Sequence, residues 1–181
     1  MTGSTNSSNF PVLNPVQNAL AAGKCGPEGA VSTCSNAFIA KLNPTGSALV
    51  YSTYLGGDGS FVADSTGDAG HGIAVDSMGN AYVVGDSGSS NFPTQSPLED
   101  ISGCPCPNFV AKLSPAGALL YSTPLGSDTN VRRIVVDSSG SAYITGEADS
   151  EDFPTTDGAF QTSLKGKSDG FITKIAEQGE P

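Results

Sequence analysis

The segment IAVDSMGNAYVVG, Ile73 to Gly85, returns as IVVDSSGSAYITG, Ile134 to Gly146, with eight of thirteen positions identical. The same offset of 61 residues separates Phe92 from Phe153. A fixed period of this size constrains the fold more than any local signal. Each repeat is one supersecondary unit that buries its apolar face only against its neighbours. The copying extends further. FIAKLNPTGSALVYSTYLG (Phe38 to Gly56) recurs as FVAKLSPAGALLYSTPLG (Phe109 to Gly126), and FITKI (Phe171 to Ile175) opens a third copy. SSNFP (Ser7 to Pro11), SSNFPT (Ser89 to Thr94) and SEDFPTT (Ser150 to Thr156) form another triplet.

Each period holds four short apolar segments, here A (IAVD), B (AYVVG), C (FVAKL) and D (ALLYSTPLG). They are rich in Val, Ile, Tyr and Thr, the composition of strands. Asp76-Ser77-Met78-Gly79-Asn80 and Asp137-Ser138-Ser139-Gly140-Ser141 join A to B, with glycine supplying the positive φ of a tight hairpin. Asn43-Pro44-Thr45-Gly46 and Ser114-Pro115-Ala116-Gly117 join C to D as type I turns. An antiparallel four-stranded meander at this period is a β-propeller blade, so the chain is expected to be all-β.

The segments FVAKLSPAGALLYSTPLG, GIAVDSMGNAYVVG and SEDFPTTDGAFQ resemble the bacterial seven-bladed β-propeller repeat family, SBBP. The resemblance covers nearly the whole chain apart from two cysteine-bearing loops. It implies blade-forming residues and a place in large secreted or surface proteins. It implies no activity.

MTGSTNSSNFP aligns with VVGDSGSSNFP, so the chain is expected to enter inside strand B and to run B-C-D, A-B-C-D, A-B-C. That is about two and a half to three blades in a single partial propeller. Residues 1–56 form a partial first blade, 57–126 the D–A loop and second blade, and 127–181 an incomplete third. The ring would close by association of copies or by further sequence, since propellers close with about four to eight blades. MTGSTNSSNF lacks a basic and an apolar region, so it does not read as a signal peptide: either a signal has been removed or, as the repeat frame favours, the chain begins inside a longer protein.

Eighteen acidic against eight basic residues give a formal charge of -10, which repels a phosphate backbone and argues against nucleic acid as a partner. No apolar run approaches the roughly 20 residues of a membrane span. The resemblance implies an extracellular or cell-surface place, where disulfides are the default for paired cysteines.

In an A-B-C-D meander the A–B and C–D turns share one end of the blade, and the B–C and D–A loops share the other. Length variation falls on the second end: Ser4 to Ala37, Asp86 to Asn108 and Gly57 to Gly72. A regular scaffold with variable loops on one face places a binding site there. Cys25 and Cys34 lie in one B–C loop, Cys104 and Cys106 in the next. Cys25–Cys34 closes a sensible disulfide, whereas Cys104-Pro105-Cys106 is too tight for an easy one. Cross-loop pairing, free thiols and a four-cysteine zinc site are alternatives.

The D–A insertion GGDGSFVADSTGDAGHG carries Asp58, Asp64 and Asp68, oxygen donors of the kind that hold calcium, although not at the spacing of an EF-hand loop. His71, the only histidine, lies just ahead of an A strand near the channel mouth and is the candidate general base. The aligned residue of the next blade is Arg132, so the repeat itself does not call for histidine. Gly85-Asp86-Ser87-Gly88 matches the GDSG of chymotrypsin-like proteases, but these glycines end a B strand and align with Gly146-Glu147-Ala148-Asp149. Lys41, Lys112 and Lys174 recur on strand C and are expected to face solvent. Phe38, Phe109, Phe171, Tyr82 and Tyr143 are expected in the core. The reading that follows is a scaffold or binding module. A calcium-dependent hydrolase of lactonase or esterase type, built on His71 and the three aspartates, is the alternative. A carbohydrate-binding module is the third, weakened by the absence of tryptophan.

Overall fold

Three meander sheets follow one another along the chain. The computed structural model describes residues 1–21, 23–26, 32–59, 67–97, 108–125, 129–151, 153 and 155–176. In chain order the strands are β1 (Thr2–Thr5), β2 (Lys24–Cys25), β3 (Ser32–Thr33), β4 (Asn36–Leu42), β5 (Leu49–Leu55), β6 (Ala69–Val75), β7 (Ala81–Asp86), β8 (Asn108–Leu113), β9 (Leu119–Pro124), β10 (Thr129–Val136), β11 (Ala142–Ala148) and β12 (Asp169–Ile175). The sheets are β1-β4-β5, β6-β7-β8-β9 and β10-β11-β12, with β2-β3 as a small separate ribbon. All the pairings within them are antiparallel. These are a blade with strands B, C and D, a complete blade, and a blade with A, B and C. The fold is all-β with propeller-like blades, no helix occurs among the described residues, and the ring is not closed.

Strand alternation explains the stacking. On the middle sheet Val83, Phe109, Ala111 and Leu113 face the first blade, meeting Ala37, Ile39, Tyr51 and Leu55. Their neighbours Tyr82, Val84 and Val110 face the third blade, meeting Val131, Ile134, Ala142 and Ile144. A sheet covered on both faces reads as an unbroken apolar run, which is why β8 is buried along its whole length.

The expectation that the strand C lysines face solvent is wrong for Lys112, which is buried with its ammonium 4.8 Å from the Tyr82 ring centroid. Lys41 reaches from the first blade to the Pro115 carbonyl on the second at 3.1 Å. The reason is the stacking itself: both faces of a blade are covered, so a strand C lysine lays its stem between sheets and places its charge at an aromatic face or a turn carbonyl.

Candidate functional site

The B–C and D–A loops of the first two blades meet around Asp68, which is fully buried. One carboxylate oxygen, Oδ2, accepts from the Gly57 amide at 2.8 Å, Ser89 Oγ at 2.9 Å and Asn36 Nδ2 at 3.4 Å. The other, Oδ1, accepts from Ser87 Oγ at 2.7 Å. Burial pushes this carboxyl above its ordinary range, while the Ser87, Gly57, Ser89 and Gly88 donors pull the other way. Its main-chain amide also donates to the Ser35 carbonyl at 2.8 Å. One side chain thus ties the start of β4, the D–A loop and the loop after β7 together.

The cysteine ribbon sits beside this junction. Cys25 and Cys34 form a disulfide, as the spacing suggested, and both are buried. With each sulfur bonded to the other, neither is a free thiolate for zinc. Cys104 and Cys106 lie outside the described residues. Gly59 packs on the bridge at a positive φ of 69°, so close that a Cβ there would collide with both sulfurs. Its amide donates to Ser89 Oγ at 2.8 Å, and the Asp58 amide donates to Asn91 Oδ1 at 2.9 Å. Beside them a shallow pocket is lined by Pro15, Val16, Gln17, Asn18, Gly56 and Pro93. Gln17, one of the lining residues, accepts from the Gly56 amide at 3.0 Å.

Of the three aspartates proposed for calcium, Asp68 is engaged by hydrogen-bond donors, Asp58 enters the loop through its main chain, and Asp64 lies outside the described residues. Among the described residues no group of three or more His, Cys, Asp or Glu side chains is placed to hold a metal ion. His71 lies inside β6 and not ahead of it, at the register shift between Gly70 and Gly72. The bulge turns its ring toward the next strand, where Nε2 lies 2.6 Å from Asp86 Oδ2 with both side chains about 40% exposed. Sequence reasoning named Asp86 only as part of GDSG and missed this partner. The signal was available, because Asp86 aligns with Glu147 and His71 with Arg132. In the third blade Arg132 and Glu147 pair at 3.4 Å across a bulge between Val131 and Arg133. Asn36, Ser87, Ser89 and Asn91 were also missed, since their roles arise only when two loops distant in sequence are brought together.

The blades, their bulges and the recurring turn residues meet a family profile at this point: the SBBP profile, described as a beta-propeller repeat, matches residues 50–93 and 119–154. The chain carries SBBP beta-propeller repeats. The first match spans β5, β6 and β7 through Pro93, and the second spans β9, β10 and β11. Each therefore contains a whole A–B hairpin with its side-chain pair at the bulge. No curated protein matches the chain.

Proposed function

We propose that this SBBP repeat chain is a non-catalytic module of a secreted or surface protein that presents its loop-bearing face as a binding surface. The observation that carries this reading is the recurrence of the bulge pair: His71–Asp86 in one blade is Arg132–Glu147 in the next. Arginine stays protonated at any pH of interest and makes no general base. A position filled by His in one copy and Arg in the other therefore serves the hairpin, joining the bulged strand to its neighbour. Support for a binding role comes from the loop face. Asp68 and the disulfide tie together the described parts of its loops, and groups already held in place lose little entropy when a partner docks. Val12, Leu13 and Val16 are exposed, and Val16 lines the pocket. The disulfide favours an oxidising compartment.

The test combines activity and stability. Lactone and ester substrates are incubated with the chain and with His71→Ala, and the thermal midpoint is measured with excess calcium and with a chelator. The expected result is no turnover and superimposable midpoints. Turnover lost in His71→Ala overturns the reading in favour of a hydrolase. A calcium-dependent rise of about 5 to 10 °C also overturns it, since that is the size of about 2.7 kcal/mol of ligand stabilisation in a chain of this length.

A further inference from the structure

The disulfide of the first blade is covered by main chain that is fastened to the second. Cys34 is fully buried and Cys25 nearly so. The Asp58 carbonyl stands 3.2 Å from Cys34 Sγ, and the Gly59 carbonyl 3.9 Å from Cys25 Sγ. A Cβ at Gly59 would collide with both sulfurs, and one at Gly23 would collide with the Asp58 carbonyl, so bridge and backbone are stacked without a gap. On its other side the same segment joins the loop after β7. The Gly59 amide donates to Ser89 Oγ at 2.8 Å and the Asp58 amide to Asn91 Oδ1 at 2.9 Å. A Cβ at Gly57 would collide with both of those side chains. Ser89 Oγ in turn donates to the buried Asp68 carboxylate at 2.9 Å.

The seat under this segment depends on the bridge. The β2-β3 ribbon pairs Lys24 with Thr33 and Cys25 with Ser32, and the Cys34 amide donates to the Gly23 carbonyl at 3.2 Å. An isolated two-stranded hairpin is marginally stable at best in water. The covalent link between Cys25 and Cys34 is therefore what keeps Gly23, Cys25 and Cys34 together beneath Asp58 and Gly59. The second junction is made differently. There Asn108, at the start of β8, donates directly to the Thr129 carbonyl and hydroxyl at 2.6 Å each, and accepts the Val131 amide at 3.4 Å. Thiol chemistry thus bears on the described contacts of the first junction and not on those of the second.

We infer that the Cys25–Cys34 bridge and the Asp58–Gly59 segment form a redox-sensitive latch between the first and second blades. With the bridge intact, the segment closes over the sulfurs and holds Ser89 and Asn91 of the second blade. With the bridge reduced, the ribbon no longer provides a seat, and the segment and the loop after β7 loosen together. The reductant is a dithiol. One of its thiolates attacks a bridge sulfur and the other bridge sulfur leaves as a thiolate; its second thiolate then attacks the mixed disulfide and closes its own ring. Two electrons and two protons pass to Cys25 and Cys34 in all. The dependence is mutual, as linkage requires. A reductant touches a sulfur only when the segment lifts, so a closed junction protects the bridge that seats it. This coupling holds whether or not the loop face binds a partner.

Dithiothreitol is the probe, applied to the full chain, and alkylation followed by the mass of the peptide carrying Cys25 reads the rate of reduction. Asn91→Ala removes the acceptor of the Asp58 amide at an exposed site, so the blades themselves persist. Gln95→Ala, exposed on the same loop, is the control. The bridge should be reduced about fivefold faster or more in Asn91→Ala and at the unmodified rate in Gln95→Ala. In the converse direction, Cys25→Ser combined with Cys34→Ser should speed hydrogen exchange at the Asp58 and Gly59 amides by a similar factor and leave the β10–β11 ladder unchanged. Reduction of Asn91→Ala no faster than that of Gln95→Ala overturns the proposal. So does unaltered exchange at Asp58 and Gly59 once the bridge is gone. Equal acceleration in the β10–β11 ladder overturns it too, since the bridge would then support the whole stack and not one junction.

Discussion

The aspartate that ends each A strand explains why thirteen residues are nearly duplicated. Asp76 Oδ1 accepts the Met78 and Asn80 amides at 3.0 and 2.9 Å, and its Oδ2 accepts Asn80 Nδ2 at 2.7 Å. Asp137 does the same for the Ser139 and Ser141 amides at 2.9 and 3.0 Å, and Tyr143 donates to it at 3.0 Å. The Ser139 hydroxyl above all, with the Ser141, Tyr143 and Ser139 main- and side-chain donors, holds the Asp137 carboxyl down at about 2. For Asp76, slight burial works upward and the Asn80, Met78 and Tyr82 donors outweigh it, so its carboxyl is also lowered. A carboxyl lowered by folding adds stability that is present above its unfolded value and lost as pH falls through the folded one. Asp68 has the opposite sign: raised by burial, its contribution is present below the ordinary carboxylate range and fades as pH rises through the folded value. Urea midpoints followed from pH 2 to 7 should therefore fall steeply between about pH 4 and pH 2. Asp76→Asn with Asp137→Asn should flatten that acid limb, and Asp68→Asn should flatten the slope above it. An acid limb unchanged in the double variant would show that these turn carboxylates are not its source.

The recurring SSNFP segment gains its purpose at the level of the element. Its phenylalanine packs on the strand C phenylalanine of the same blade: Phe10 on Phe38 at 5.0 Å, Phe92 on Phe109 at 4.5 Å, Phe153 on Phe171 at 4.8 Å. The chain beyond it then runs along the outer strand. Leu13 exchanges main-chain bonds with Ser52 on β5 at 3.0 and 2.8 Å, and Gln95 does the same with Ser122 on β9. An outer D strand is a sheet edge, and such an edge invites pairing with other chains unless covered. The loop is the cover, with the aromatic pair as its anchor. Phe92→Ala should lower stability by about 3 kcal/mol. It should also speed hydrogen exchange at the Ser122 amide more than at amides within the β7–β8 ladder. Equal acceleration at both would mean that Phe92 supports the whole sheet and not its edge.

For the whole molecule, stability resides in the junctions between blades. Tyr82 marks one of them, its hydroxyl reaching the Gly140 carbonyl of the third blade at 3.1 Å. Gly117 marks the other, against Tyr51. Both Gly117 and Gly46 have positive φ, 93° and 69°, so alanine strains the backbone at either by about 1 kcal/mol. Only Gly117→Ala also drives a methyl into the neighbouring blade. Its thermal midpoint should fall several degrees below that of Gly46→Ala. Equal losses would mean that the junction relaxes freely and that the blades are held separately.

The period of 61 residues, the four apolar segments and the turn glycines are local facts, and local facts determine strands, hairpins and their order; the sequence therefore carried the all-β blade architecture and the B-C-D, A-B-C-D, A-B-C frame. The Cys25–Cys34 bridge was legible for the same reason, since it closes a short loop. What only the tertiary structure decided depends on segments brought together from afar. Lys112 lies between sheets because a neighbouring blade covers it. Asp68 is a junction between loops because Asn36, Ser87 and Ser89 converge on it. His71 faces Asp86 because a bulge turns it there. Periodicity fixes which side of a strand a residue occupies, but what stands opposite that side is set by packing between blades, which no single repeat encodes.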